Sequence, residues 1–247
     1  MIAPQEKWLN LAWYATLVAA LLFGVWSVRD FGWKIVWEAS PFLLEGLGVS
    51  WMLAVSSVIL GMTAGIILAA ARLYGVWGVR HAAIIYIETI RAVPQIMVIF
   101  WVYFSMPVLT GVAMSAWPAG VLALSMIASA YLAEVVRSGL MSVPRIQRES
   151  AYSAGLSRTA SFIYIVLPQA LRNMLPALIA HFVMMFKLTS VIYIIGLIDF
   201  FRAVILVNNR DFAPYALYLT AGIVYFICNY SLSRVIKRFD PKYTVTA

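Results

Sequence analysis

Six apolar runs, each long enough for a helix to cross the hydrocarbon core of a bilayer, which takes about twenty residues, make up more than half of the chain. They fall at residues 11–28, 42–71, 83–108, 117–137, 171–198 and 214–236. A transmembrane strand would alternate polar and apolar side chains, whereas residues 58–71 and 177–186 are apolar on every face, so the runs read as helices. With 64% of the 247 residues hydrophobic, 11% charged and a mean hydropathy of +0.90, a soluble domain of this length is excluded. The chain reads as an all-α, polytopic membrane protein, a single transmembrane domain over residues 1–247. The first run is long for a signal-peptide core and is expected to remain as an uncleaved span.

A net charge of +8 would suit a nucleic-acid binder, but its distribution points elsewhere. If the polar stretch around Glu149 faces the cytoplasm, alternation of the spans places Lys7, Arg72, Arg80, Arg137, Arg145, Arg148, Arg158, Arg172, Arg234, Lys237, Arg238 and Lys242 inside. Only Arg29, Lys34, Arg202 and Arg210 fall outside, an asymmetry that follows the positive-inside rule and puts both termini in the cytoplasm. Trp8, Trp33, Trp37, Trp77, Trp117 and Tyr215 near span ends read as interfacial anchors. Gly61, Gly65 and Ala69 form a small-residue stripe that suits close helix approach, either within the chain or toward a second copy.

Residues 145–161 form a polar break between apolar runs, with Arg145, Arg148, Glu149 and Arg158 on it. Gly155 suits the left-handed residue that ends a short helix, and Ser157 suits the cap of the next. The spacing Glu149-Ser150-Ala151, Gly155 and Ile165-Val166-Leu167-Pro168 resembles the EAA signature of ABC import permeases, EAA-x3-G-x9-I-x-LP, with Ser150 where that family usually has Ala. Residues 130–151, AYLAEVVRSGLMSVPRIQRESA, resemble the polar amino acid branch, whose usual run is AYxAEIxRxGIxSVxxGQxEAA; Ile146 stands in place of its Gly. Glu88-Thr89-Ile90-Arg91-Ala92-Val93-Pro94 is similar to that branch's ExxRGxP, and Lys187-Leu188-Thr189-Ser190 to its KxTS. Residues 189–203 are most similar to glutamate/aspartate permeases.

The resemblance implies a five-helix permease core at residues 40–238, preceded by an extra span at 11–28 and carrying a cytoplasmic coupling loop at 145–161. It implies that Arg145, Arg148, Glu149, Ser150, Ala151, Gly155, Leu156, Ser157 and Pro168 serve coupling to an ATPase. It further implies a second permease subunit, identical or not, two ATP-binding subunits, an extracytoplasmic solute-binding protein and an amino acid substrate, all at a bacterial inner membrane rich in lipid contacts. The function implied is ATP-driven import of polar amino acids by alternating access, with glutamate or aspartate as substrate, or else basic amino acids, glutamine or opines.

Lys187 lies in an apolar run and needs a wet cavity or a partner, with Thr189 and Ser190 available as hydroxyls beside it. With Arg91, Glu88 and Pro94 it makes up the expected substrate pathway. Glu88 with Arg91, and Glu134 with Arg137, are three residues apart and suited to pair along one helix face. Pro94 removes a backbone donor and should kink or open its span. His181 reads as a satisfied interior histidine, and no His, Cys and carboxylate grouping suggests a metal. The single Cys228 falls in the last span. No Gly-Lys dipeptide occurs, hence no phosphate-binding loop; the chain is expected to be non-catalytic, with ATP and Mg held by the partner ATPase. An ion-coupled secondary transporter is the other class, but Glu45, Glu88, Glu134 and Asp199 all fall near span ends rather than at a midplane.

Overall fold

The computed structural model describes residues 13–23 and 32–239, with side chains as far as Arg234. Lys7, Trp8, Arg29, Lys237, Arg238 and Lys242 lie outside the described residues or side chains, as do both ends of the expected span at 11–28, whose central part is α1 (Trp13–Phe23). The other helices are α2 (Trp33–Tyr74), α3 (Trp77–Ala92), α4 (Gln95–Thr110), α5 (Ala116–Met141), α6 (Arg145–Ser153), α7 (Arg158–Ile195), α8 (Phe200–Asp211) and α9 (Pro214–Phe239). Among the described residues there is no strand. By length and composition α2, α5, α7 and α9 can each cross a membrane, and α3 with α4 supplies a fifth span if that bent pair counts as one.

Local chemistry moves several boundaries from their expected places. Helix α2 begins at Trp33 and runs for 42 residues, roughly 63 Å at 1.5 Å per residue against a hydrocarbon core of about 30 Å. Its first turns therefore project beyond the apolar run at 42–71. Pro41 does not stop it, because the Trp37 carbonyl that Pro41 leaves without a donor accepts the Ser40 hydroxyl at 2.7 Å. The expected span at 83–108 is broken: α3 and α4 meet at 112°. Pro94 has no N–H to give, and Val93 before it is extended at φ −85°, ψ 142°, as a residue preceding proline prefers.

Two π turns have a related cause. They span Trp101–Ser105 in α4 and Phe162–Val166 in α7, and each ends two residues before a proline, Pro107 and Pro168. A wider turn relieves the contact between a proline ring and the carbonyl four residues back. The Gln169 amide also donates to the Ile165 carbonyl at 2.9 Å.

Packing is built on small residues. The stripe Gly61, Gly65 and Ala69 faces α5 inside the chain, which settles its use as internal packing. A methyl on Gly61 would collide with the Ala128 Cβ, and one on Gly65 would lie 3.1 Å from the Ala133 nitrogen. Around this seam a central core gathers Leu53, Ile99, Leu124, Ile127, Met185 and Ile192. A second cluster joins α2 to α8 and α9 through Leu43, Phe200, Val204 and Leu217. There the Asp199 side chain caps α8 by accepting from the Phe201 and Arg202 amides at 3.2 and 3.0 Å, and the Phe200 amide donates to the Ser50 hydroxyl at 3.0 Å. Met52, Ile59, Ile66 and Ile67 of α2 are exposed, as lipid-facing side chains are. Trp37, Trp77, Trp117 and Tyr215 are exposed as well, near helix ends.

Candidate coupling loop and translocation site

The loop is assembled from two short helices and a glycine turn. Helix α6 starts after Pro144 and buries one residue, Ala151, leaving Arg145, Glu149 and Ser150 exposed and Arg148 half-buried. Its C-terminus is a Schellman motif: the Leu156 amide donates to the Ala151 carbonyl at 3.1 Å and the Gly155 amide to the Tyr152 carbonyl at 2.9 Å. Gly155 sits at φ +82°, and nothing lies within 4 Å of where its Cβ would be, so the position asks for glycine on conformational grounds alone. Ser157 then caps the start of α7 by accepting from the Ala160 amide at 3.2 Å. Ile146 is an ordinary helical residue, 62% exposed. Pro168 follows the π turn.

Strapping contacts hold this loop to the membrane helices. Arg148 Nη2 donates to the Leu140 carbonyl at 3.3 Å, and the Asn173 amide donates to the Ser142 hydroxyl at 2.8 Å, tying α7 to the end of α5. Gly139 lies against Met174, where a Cβ would meet the methionine side chain at 3.0 Å. Glu149, Arg145 and Arg158 make no ion pair among the described residues. The loop thus presents charged groups outward on a backbone whose own hydrogen bonds are closed.

The expected substrate-pathway residues divide into two groups. Near the loop end, Arg72 of α2 reaches Glu88 Oε1 of α3 at 3.0 Å and Glu134 Oε2 of α5 at 3.3 Å, while Glu134 also pairs with Arg137. The Glu134–Arg137 pair forms as the spacing suggests. Glu88 does not pair with Arg91, because Arg72 on the neighbouring helix takes the carboxylate. Arg91 instead lies over the Tyr131 ring, 5.6 Å from its centroid, and Tyr131 stacks on His181 at 5.7 Å. His181 is 6% exposed, but its Nε2 has no hydrogen-bond partner, so it is an interior histidine without being a satisfied one. Arg91, Tyr131, Glu134, Ser138, His181 and Met184 line a cavity of about 360 Å³.

Lys187, Thr189 and Ser190 are not part of that cavity. They lie where α7 passes from α-helix to a 3-10 segment at Thr189–Ile195. Because α7 starts at Arg158, Lys187 lies 29 residues along it, in its second half. Its side chain is exposed and without an acid partner among the described residues. The Thr189 and Ser190 hydroxyls turn back to their own helix, donating to the Phe186 and Lys187 carbonyls at 2.9 and 2.7 Å, so neither serves the lysine. Sequence reasoning missed Arg72 as the centre of the charge network. Its signal was a basic residue in the last turn of an otherwise apolar helix, just before Gly75.

Residues 61–245 match the model of the family described as binding-protein-dependent transport system inner membrane component. The glutamate/aspartate import permease GltK of Escherichia coli O6:H1 is 32% identical over 214 residues, covering 84% of this chain and 96% of that protein. The probable glutamine ABC transporter permease GlnP of Bacillus subtilis is 34% identical over 212 residues, with 84% and 96% covered. Among solved structures, an amino acid ABC transporter crystallised with histidines superposes with a TM-score of 0.78 at 28% identity, over 83% of this chain and 95% of that one. An inward-facing MetNI methionine ABC transporter, at 14% identity and a TM-score of 0.59 over 86% and 98% of the two chains, shares the fold. With its apolar spans and its match over residues 61–245, the chain belongs to the binding-protein-dependent transport system inner membrane components and is a multi-pass, non-catalytic permease subunit of the inner membrane.

Proposed function

We propose that this permease carries polar amino acids into the cytoplasm by alternating access, driven by ATP hydrolysed in two partner subunits. A second permease, identical or not, completes the pathway, and an extracytoplasmic solute-binding protein delivers substrate. The observation that carries this reading is the α6–α7 loop: exposed, charged, internally hydrogen-bonded and strapped to α5 and α7, it has the form of a rigid docking element. Coupling then requires that each ATPase state hold the loop differently. Relatives named for glutamate/aspartate, glutamine and arginine support polar amino acids as the class. Within it we assign acidic amino acids, because Lys187 is an exposed cation with no acid partner among the described residues and residues 189–203 resemble glutamate/aspartate permeases in sequence.

The test is uptake of labelled glutamate, glutamine and arginine into proteoliposomes holding the permease, its ATPase and its solute-binding protein. Glutamate should accumulate only with ATP inside; accumulation with a hydrolysis-dead ATPase would exclude the mechanism, and preference for glutamine or arginine would move the substrate while leaving the class. Orientation is checked with single cysteines at positions 80 and 209 in a Cys228→Ala background. An impermeant thiol reagent added to intact cells should label position 209 and spare position 80.

A further inference from the structure

A pocket of about 370 Å³ opens where the ends of α2 and α5 meet α6 and the start of α7, with Tyr74, Leu140, Arg148, Arg158, Ser161 and Phe162 in its walls. Its polar groups set it apart from an apolar packing gap. Ser161 is 1% exposed and its hydroxyl has no hydrogen-bond partner. Arg148 uses one guanidinium nitrogen on the Leu140 carbonyl, yet its buried Nε–H also has no partner. Buried donors left open in this way are rare in folded proteins, and an ordered water or a bound ion is the usual acceptor. No carboxylate lines the pocket, and neither arginine has an acid partner among the described residues. Two guanidiniums and a hydroxyl, with no competing acid, select an oxyanion.

Position narrows the ligand. The walls are the ends of three helices that can cross a membrane, and Tyr74, Trp77, Phe162 and Tyr164 near those ends are exposed aromatics of the kind that sit at headgroup depth. We infer that this pocket binds the phosphate of an anionic phospholipid, with Arg148 Nε and the Ser161 hydroxyl as donors and Arg158 as the second positive charge. The site stands apart from the substrate pathway and does not depend on which amino acid is carried.

The experiment uses the full chain purified with its ATPase and placed in phosphatidylcholine nanodiscs. A trace of photoactivatable phosphatidylglycerol, or of the matching phosphatidylcholine probe, is crosslinked and its attachment mapped by peptide mass spectrometry. Phosphatidylglycerol should label the peptides carrying Tyr74 or Phe162, and Arg148→Gln and Ser161→Ala should each reduce that label by about threefold or more, the order expected for losing one charge-assisted or buried hydrogen bond. Ser161→Ala guards against misfolding, since the hydroxyl bonds nothing in the protein and its loss leaves one unsatisfied group fewer. Millimolar inorganic phosphate should leave the label unchanged; if it displaces the label while both variants still weaken it, the same phosphate site is filled from solution. Equal labelling of wild type and both variants, equal labelling by the phosphatidylcholine probe, or label seen only after the ATPase is stripped away would overturn the site.

Discussion

The α6–α7 loop and the Arg72 charge network lie at the same end of the molecule, but they are held together in opposite ways. The loop closes its hydrogen bonds within a few residues: Leu156 to Ala151, Gly155 to Tyr152, and the Ser157 hydroxyl from Ala160. The network closes only through tertiary structure, with Arg72 meeting Glu88 sixteen residues on and Glu134 sixty-two residues on. A segment that satisfies itself can be handed to a partner without weakening the fold, whereas charges shared among α2, α3 and α5 hold those helices to one another. Loop substitutions should therefore change transport and spare stability; network substitutions should do the reverse.

The largest expected effect tests the first half. Glu149 is exposed and unpaired among the described residues, so Glu149→Lys should alter stability by about 0.5 kcal/mol or less while lowering ATP-driven uptake tenfold or more, roughly 1.4 kcal/mol of lost coupling. Normal uptake in that variant would remove the loop from the mechanism. Lys187→Met comes next: glutamate uptake should fall about tenfold with assembly intact, and Lys187→Arg should retain part of it. Equal loss for a neutral amino acid would show that the lysine supports structure instead of reading charge.

On the stability side, Gly61→Val forces a branched side chain against Ala128 and should cost about 1–3 kcal/mol, measured as detergent-solubilised melting. Arg72→Met should cost about 1–2 kcal/mol, less than a fully buried pair because Arg72 and Glu134 keep some solvent access. Adding Glu134→Gln should restore part of that loss, since the stranded carboxylate is then neutral; a purely additive pair would dissolve the network as a cooperative unit. The smallest effect belongs to Ser157→Ala, about 1 kcal/mol for one helix cap. Should it melt the protein more than Arg72→Met does, the contrast between the two regions fails.

That contrast also explains what could be read from the chain before folding. Gly155, Ser157 and the helix ahead of them follow from backbone rules acting over one or two turns. So does the break at Pro94, although only the packed structure sets it at 112°. The spans were legible from composition, but their ends were not. Hydropathy marks where lipid lies, whereas α2 and α7 are bounded by backbone: the left-handed Gly32 and extended Gly75 at the two ends of α2, and the Ser157 cap at the start of α7. The preference of Glu88 for Arg72 over Arg91, and of the Thr189 and Ser190 hydroxyls for their own helix, depends on neighbours that no short window contains.

The continuity of α7 carries a consequence for scale. Thirty-eight residues run from the loop to Ile195 without leaving a helical path, a span of roughly 57 Å at 1.5 Å per residue. Tilting such a rod by about 5° around its loop end sweeps the far end through roughly 5 Å, close to one helical pitch. If the loop is the ATPase contact proposed above, a displacement there too small to disturb a single loop hydrogen bond would be magnified, by trigonometry alone, into a movement of atomic dimensions at the far end of α7.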